Sequence, residues 1–134
     1  MPDPVTVTID GRTLVLTHLD KELFADGWTK HDLIEYYANA APYMLPHLQG
    51  RPATLIRLPG GAGSEPFFAK TPPPGLPEWV PTVPVLGRDG PKDHVSVDAR
   101  PTLIALANAD AVEIHVPQWR HSTSGSARPA RHRP

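Results

Sequence analysis

Alternation opens the chain: in Val5-Thr6-Val7-Thr8-Ile9, β-branched residues exchange polar for apolar at every step, the period of a half-buried strand. Asp10-Gly11 follows as a two-residue turn signal, and Arg12-Thr13-Leu14-Val15-Leu16-Thr17 returns with the same period, so a hairpin is predicted. The period then lengthens. Thr29 and Asp32 are spaced as a capping pair, and Leu33, Tyr37, Ala40 or Ala41, Met44 and Leu48 share one face of the helix they start. Pro42 and Pro46 predict a kink or a restarted last turn near Ala41, and Gly50 is placed to end the helix.

Ala53-Thr54-Leu55-Ile56-Arg57-Leu58, bounded by Pro52 and Pro59, reads as a strand with Arg57 facing outward, and Pro59 to Ser64 as a flexible glycine loop. Phe67-Phe68-Ala69-Lys70 is expected to pair back, with one phenylalanine in the core and the other outside. The proline-rich stretch 71–91 predicts an extended edge segment. His94 to Val97 is a further strand. Asp98 or Arg100-Pro101 opens a second helix through Leu103, Leu106 and Ala107, and Val112-Glu113-Ile114-His115-Val116 is a last alternating strand. The sum is an α+β fold with a mixed, mainly antiparallel sheet and two main helices.

A length of 134 residues allows one domain with a real core, and 18 prolines with 10 glycines predict many short elements. The absence of cysteine removes disulfides and thiolate metal sites and suits a reducing cytoplasm. No export signal and no run of about 18 apolar residues is present, so a soluble cytoplasmic protein is expected. The net charge of −1 conceals two regimes. Residues 1–119 carry nine Lys and Arg against fourteen Asp and Glu, whereas residues 120–134 add four arginines and no acid. We therefore divide the chain into a folded unit, 1–119, and a basic tail, 120–134, expected to be disordered. An acidic body argues against generic DNA binding, so any such contact has to come from a local patch.

One such patch is legible. Lys21 lies before, and Lys30 at the start of, the first helix, where unpaired N–H groups and the helix dipole favour an anion. The bland reading makes both lysines solvated surface residues. The surrounding words are Leu19-Asp20-Lys21-Glu22-Leu23-Phe24, Gly27-Trp28-Thr29-Lys30-His31-Asp32-Leu33-Ile34-Glu35-Tyr36-Tyr37 and Leu45-Pro46-His47-Leu48-Gln49-Gly50-Arg51-Pro52. Ala53-Thr54-Leu55-Ile56-Arg57, then Pro66-Phe67-Phe68-Ala69-Lys70 with Glu78-Trp79-Val80, and Leu106-Ala107-Asn108-Ala109-Asp110-Ala111-Val112-Glu113-Ile114-His115 continue the series. In order and approximate spacing, these blocks resemble the front half of the polymerase domain of bacterial DNA ligase D, a primase-like nucleotidyltransferase of break repair by non-homologous end joining.

That resemblance implies that Lys21 and Lys30 bind the 5′-phosphate of a DNA end, that Phe67 or Phe68 stacks on template bases, that Arg57 and Lys70 follow the backbone, and that His115 lies near the incoming nucleotide. It also implies partners: DNA ends, a complementary polymerase half, a ligase or a Ku-type end-binding protein. An open sheet edge further invites self-association as a homodimer. The His115-Val116-Pro117-Gln118-Trp119 stretch departs from the more compact His-Pro-Trp often seen in the family.

A complete family member holds divalent manganese or magnesium on two aspartates one residue apart on a strand, but no Asp-x-Asp occurs here. Asp20-Lys21-Glu22 is the nearest imitation and a poor one. In the family the acidic strand follows shortly after the position of Trp119. The expectation is therefore a DNA-end-binding part without a catalytic residue or cofactor of its own. Two alternatives stand beside it: a non-catalytic binding or scaffold remnant of the family, and a small metal-dependent enzyme using Glu113 and His115. The rival to the last is a surface pair on an outward strand face. Histidines 18, 31, 47, 94, 121 and 132 show no metal-ligand spacing on a common element and read as structural or exposed.

Overall fold

The hairpin is where the alternation places it. A computed structural model describes residues 4–120, in which β1 (Val5–Ile9) pairs antiparallel with β2 (Arg12–Leu16) in the register Ile9↔Arg12. Asp10 and Gly11 both take positive φ, 49° and 85°, as a type I′ turn requires. Leu14 and Leu16 are buried while Thr13 and Val15 face solvent.

Helix α1 (Lys30–Leu48) starts at a full capping box: Asp32 N donates to Thr29 Oγ1, and Thr29 N donates back to Asp32 Oδ2. It buries Leu33, Ile34, Tyr37, Ala41 and Leu48, with Met44 half-buried. The last turn is not restarted: α1 runs unbroken through Pro42 and Pro46. Both prolines are exposed, and each removes one helical N–H donor without ending the helix. Arg120, which we read from sequence as the first residue of the tail, donates from Nε to Gln49 O and from Nη2 to Pro46 O, placing a cation on the negative end of the helix. The rest of the tail, 121–134, lies outside the described residues.

The main sheet is antiparallel throughout. β3 (Pro52–Arg57) pairs with β4 (Phe67–Ala69), with β6 (Gly90–Ser96) and with β7 (Ala111–His115). β5 (Thr82–Gly87) pairs only with β6, so the proline-rich segment does supply an edge, with Pro84 exposed on it. Helix α2 (Arg100–Asn108) opens on Pro101 rather than at Asp98, whose carboxylate instead accepts from Gly50 N. Buried residues run without a break from Pro101 to Ala107, the pattern of a helix enclosed on all sides by α1, β2 and β7. No helix among the described residues is long and apolar enough to cross a membrane.

Tyr37 ties the layers together. Its ring is 4% exposed and its hydroxyl donates to Ala111 O at 2.8 Å. Tyr37→Phe is expected to lower stability by about 1 kcal/mol at neutral pH. Burial, followed by the nearby Tyr36 and Glu113, raises the Tyr37 pKa above its ordinary 10.0. Above that value the unfolded chain ionises Tyr37 while the folded one holds the proton, so wild type loses stability as pH rises beyond 10.0. The phenylalanine variant should show less of this loss, as urea titrations on both sides of pH 10 would measure.

Candidate nucleic-acid interface

Lys30 is the first residue of α1, yet it is 2% exposed, the largest fully buried side chain among the described residues. The segment before the helix brings Lys21 beside it: Lys30 N donates to Lys21 O at 2.8 Å, and Glu22 bridges to Thr29. Lys30 Nζ donates to Asn108 O at 2.7 Å and lies 3.6 Å from Asp110 Oδ1. Lys21 Nζ donates to Pro59 O at 3.0 Å and lies 2.9 Å from the same Asp110 oxygen. Both ammonium groups therefore converge on one carboxylate. The Asp110 oxygen receives no well-directed hydrogen bond, so the link is chiefly one of charge. Burial lowers the Lys30 pKa below its ordinary 10.5, against the pull of Asp110 and with the help of Lys21.

The glycine loop supports this arrangement and is bonded rather than free. Gly61 N donates to Leu58 O, and Ala62 N donates to Glu22 O. Gly61 has φ +80°, and a Cβ there would sit 2.7 Å from Glu22 O, so only glycine lets the loop close on the Lys21 segment.

Arg57, expected to face outward, is instead half-buried on the face of Leu55, at the end of β3, and anchors its Nε on Ala109 O at 2.8 Å. It lines two adjoining depressions: one of about 500 Å³ with Lys21 and Lys30, and one of about 630 Å³ with Phe67, Phe68 and Lys70. Thr54, Lys70 and Lys92 in turn line both the second and a third, of about 780 Å³, which reaches His115 and Trp119. Six of the nine Lys and Arg residues before Arg120, namely Lys21, Lys30, Arg57, Lys70, Arg88 and Lys92, border this connected path. The acidic body thus keeps its cations together.

Neither phenylalanine is in the core, contrary to the sequence expectation: Phe67 is 54% and Phe68 70% exposed. β4 is only three residues long, and Phe67, although on the face of buried Ala69, stands opposite Arg57 where β3 ends. His115 is also exposed, paired at 2.9 Å with Glu113 Oε1. That is the outward surface pair. Glu113 and His115 are turned on each other, and no Asp-x-Asp occurs in the sequence. Sequence reasoning passed over His31, Asp32 and Glu35, whose ligand atoms lie within 4.8 Å of one another. The i, i+4 spacing of His31 and Glu35 was the available signal, but Asp32 is engaged in the helix cap and none of the three borders the path.

The family model "LigD, primase-polymerase domain" matches residues 29–133. The multifunctional non-homologous end joining DNA repair protein LigD of Mycobacterium tuberculosis is 41% identical over 108 residues, 80% of this chain and 14% of that protein. The bifunctional LigD of Bacillus subtilis is 39% identical over 118 residues, 87% of this chain and 18% of its own length. Among solved structures, the polymerase domain of Mycobacterium tuberculosis ligase D in complex with DNA superposes with a TM-score of 0.78 at 40% identity, over 85% of this chain and 40% of that one. The chain accordingly spans under a fifth of these curated relatives and under half of the solved domain, and it belongs to the LigD primase-polymerase domain family.

Proposed function

We propose that this chain is the DNA-end-binding part of a bacterial non-homologous end joining polymerase, holding a 5′-phosphate at Lys21 and Lys30. The observation that carries this reading is the connected cationic path. The pair of ammonium groups passes through Arg57 to two exposed phenylalanines and on through Lys70 to His115, on a body otherwise acidic. In the related solved domain, DNA is the bound partner. On this reading the path carries a terminal phosphate, then backbone and unpaired bases, and ends at the nucleotide. Stacking on Phe67 and Phe68 is tolerant of sequence, as filling an arbitrary gap demands. Nucleotidyl transfer is assigned to metal-binding carboxylates outside these 134 residues, with the manganese or magnesium they would hold. Primer extension with manganese by this chain alone is expected to give no product.

The test is fluorescence anisotropy with recessed duplexes that differ only in a 5′-phosphate. Wild type is expected to prefer the phosphorylated end by about tenfold, since a hydrogen bond to a charged group contributes about 1.5 kcal/mol or more. Lys21→Ala, which removes the more accessible ammonium, should erase most of that preference without unfolding the chain. Equal binding of both duplexes by wild type would refute the reading.

A further inference from the structure

Asp110 is 6% exposed and sits just past the end of α2 with φ +68°, a backbone conformation that glycine and asparagine enter most readily. Aspartate tolerates that turn as well, but a carboxylate buried there needs a charged partner. Its Oδ1 is the point shared by Lys21 Nζ at 2.9 Å and Lys30 Nζ at 3.6 Å, two cations that repel each other and come from different segments. The other groups fixing them are the neutral carbonyls Pro59 O and Asn108 O; the like-charged Arg57 also acts on Lys30, and His18 lines the same depression. We propose that Asp110 is the positioning residue of this pocket, whose buried carboxylate holds both ammonium groups at its floor in the geometry that receives a phosphate. The phosphate part of this statement rests on the function proposed above; the positioning part does not.

Asp110→Asn in the full 134-residue chain keeps the shape, suits the left-handed backbone and removes only the charge. It is expected to lower the preference for a 5′-phosphorylated duplex by about tenfold while binding to the 5′-hydroxyl duplex stays as in wild type. The lost preference should also fall more steeply toward alkaline pH than in wild type, because buried Lys30, facing Lys21 and Arg57 without a counter-charge, releases its proton more readily. An NMR titration of Cε-labelled lysines without DNA should find Lys30 deprotonating at lower pH in the variant than in wild type. Asp110→Glu returns the charge on a longer arm, so it should recover the wild-type Lys30 titration more fully than the affinity. If the asparagine variant does not fold, this variant carries the test through its reduced phosphate preference. Phosphate preference and Lys30 titration unchanged in the variants would overturn the proposal, as would tighter phosphate binding, which would make Asp110 a competitor of the ligand. Should wild type itself ignore the phosphate, the function proposed above fails, and the lysine titration still decides the role of Asp110.

Discussion

Lys30→Ala is expected to lower the unfolding free energy by about 3 kcal/mol, whereas Lys30→Met should cost about 1 kcal/mol or less. The alanine removes three methylenes of a stem that is 2% exposed, about 0.8 kcal/mol each, and leaves the Asn108 carbonyl without its donor. Methionine keeps most of the volume. Loss of the buried ammonium is partly offset because its desolvation cost disappears with it, and Asp110 retains Lys21. Urea denaturation of the three proteins at neutral pH measures the difference. Equal loss in both variants would show that the charge, not the stem, stabilises. A pH series adds a signed check. Since the folded-state pKa of Lys30 lies below the ordinary 10.5, the unfolded chain binds more protons in the interval between them, and wild-type stability rises with pH there. Lys30→Met should flatten that rise, read below pH 10 to stay clear of Tyr37 ionisation.

Replacing both Phe67 and Phe68 by alanine is expected to cost about 2 to 6 kcal/mol of affinity for a single-stranded overhang, at about 1 to 3 kcal/mol per stacked base. Stability should change little, because both rings are more than half exposed and β4 retains its pairing with β3. Anisotropy with duplexes bearing unpaired template bases supplies the first number and thermal unfolding the second. Unchanged affinity would remove the phenylalanines from the interface. A large fall in melting temperature would return them to a packing role.

These two sites divide according to the kind of information each needs. Lys21 and Lys30 were visible as candidates because they lie nine positions apart and a capping pair at Thr29 and Asp32 announces the helix start at Lys30. Their sharing of one acid was not visible. Asp110 is 80 residues beyond Lys30 and carries no local mark beyond an Ala-Asp-Ala context. For Phe67 and Phe68, alternation correctly placed them on opposite faces but could not report that β3 ends at Arg57 and leaves Phe67 54% exposed. Proline chemistry alone predicted a restarted last turn that α1 does not show, because each proline removes only one helical bond and the rest of the helix is held by packing.

What the amino-acid order determined alone is everything governed by neighbours within about a turn or a strand: the hairpin with its Asp10-Gly11 turn, the Thr29 cap and the alternating β7. What only the tertiary structure decided is burial and charge balance at long range: Lys30 enclosed by the end of α2, Asp110 joining two cations, and three depressions joined through Arg57, Thr54, Lys70 and Lys92. The reason is physical. Turn and cap preferences come from backbone sterics and bonds that close within a few residues, whereas solvent exclusion depends on which distant segments pack together.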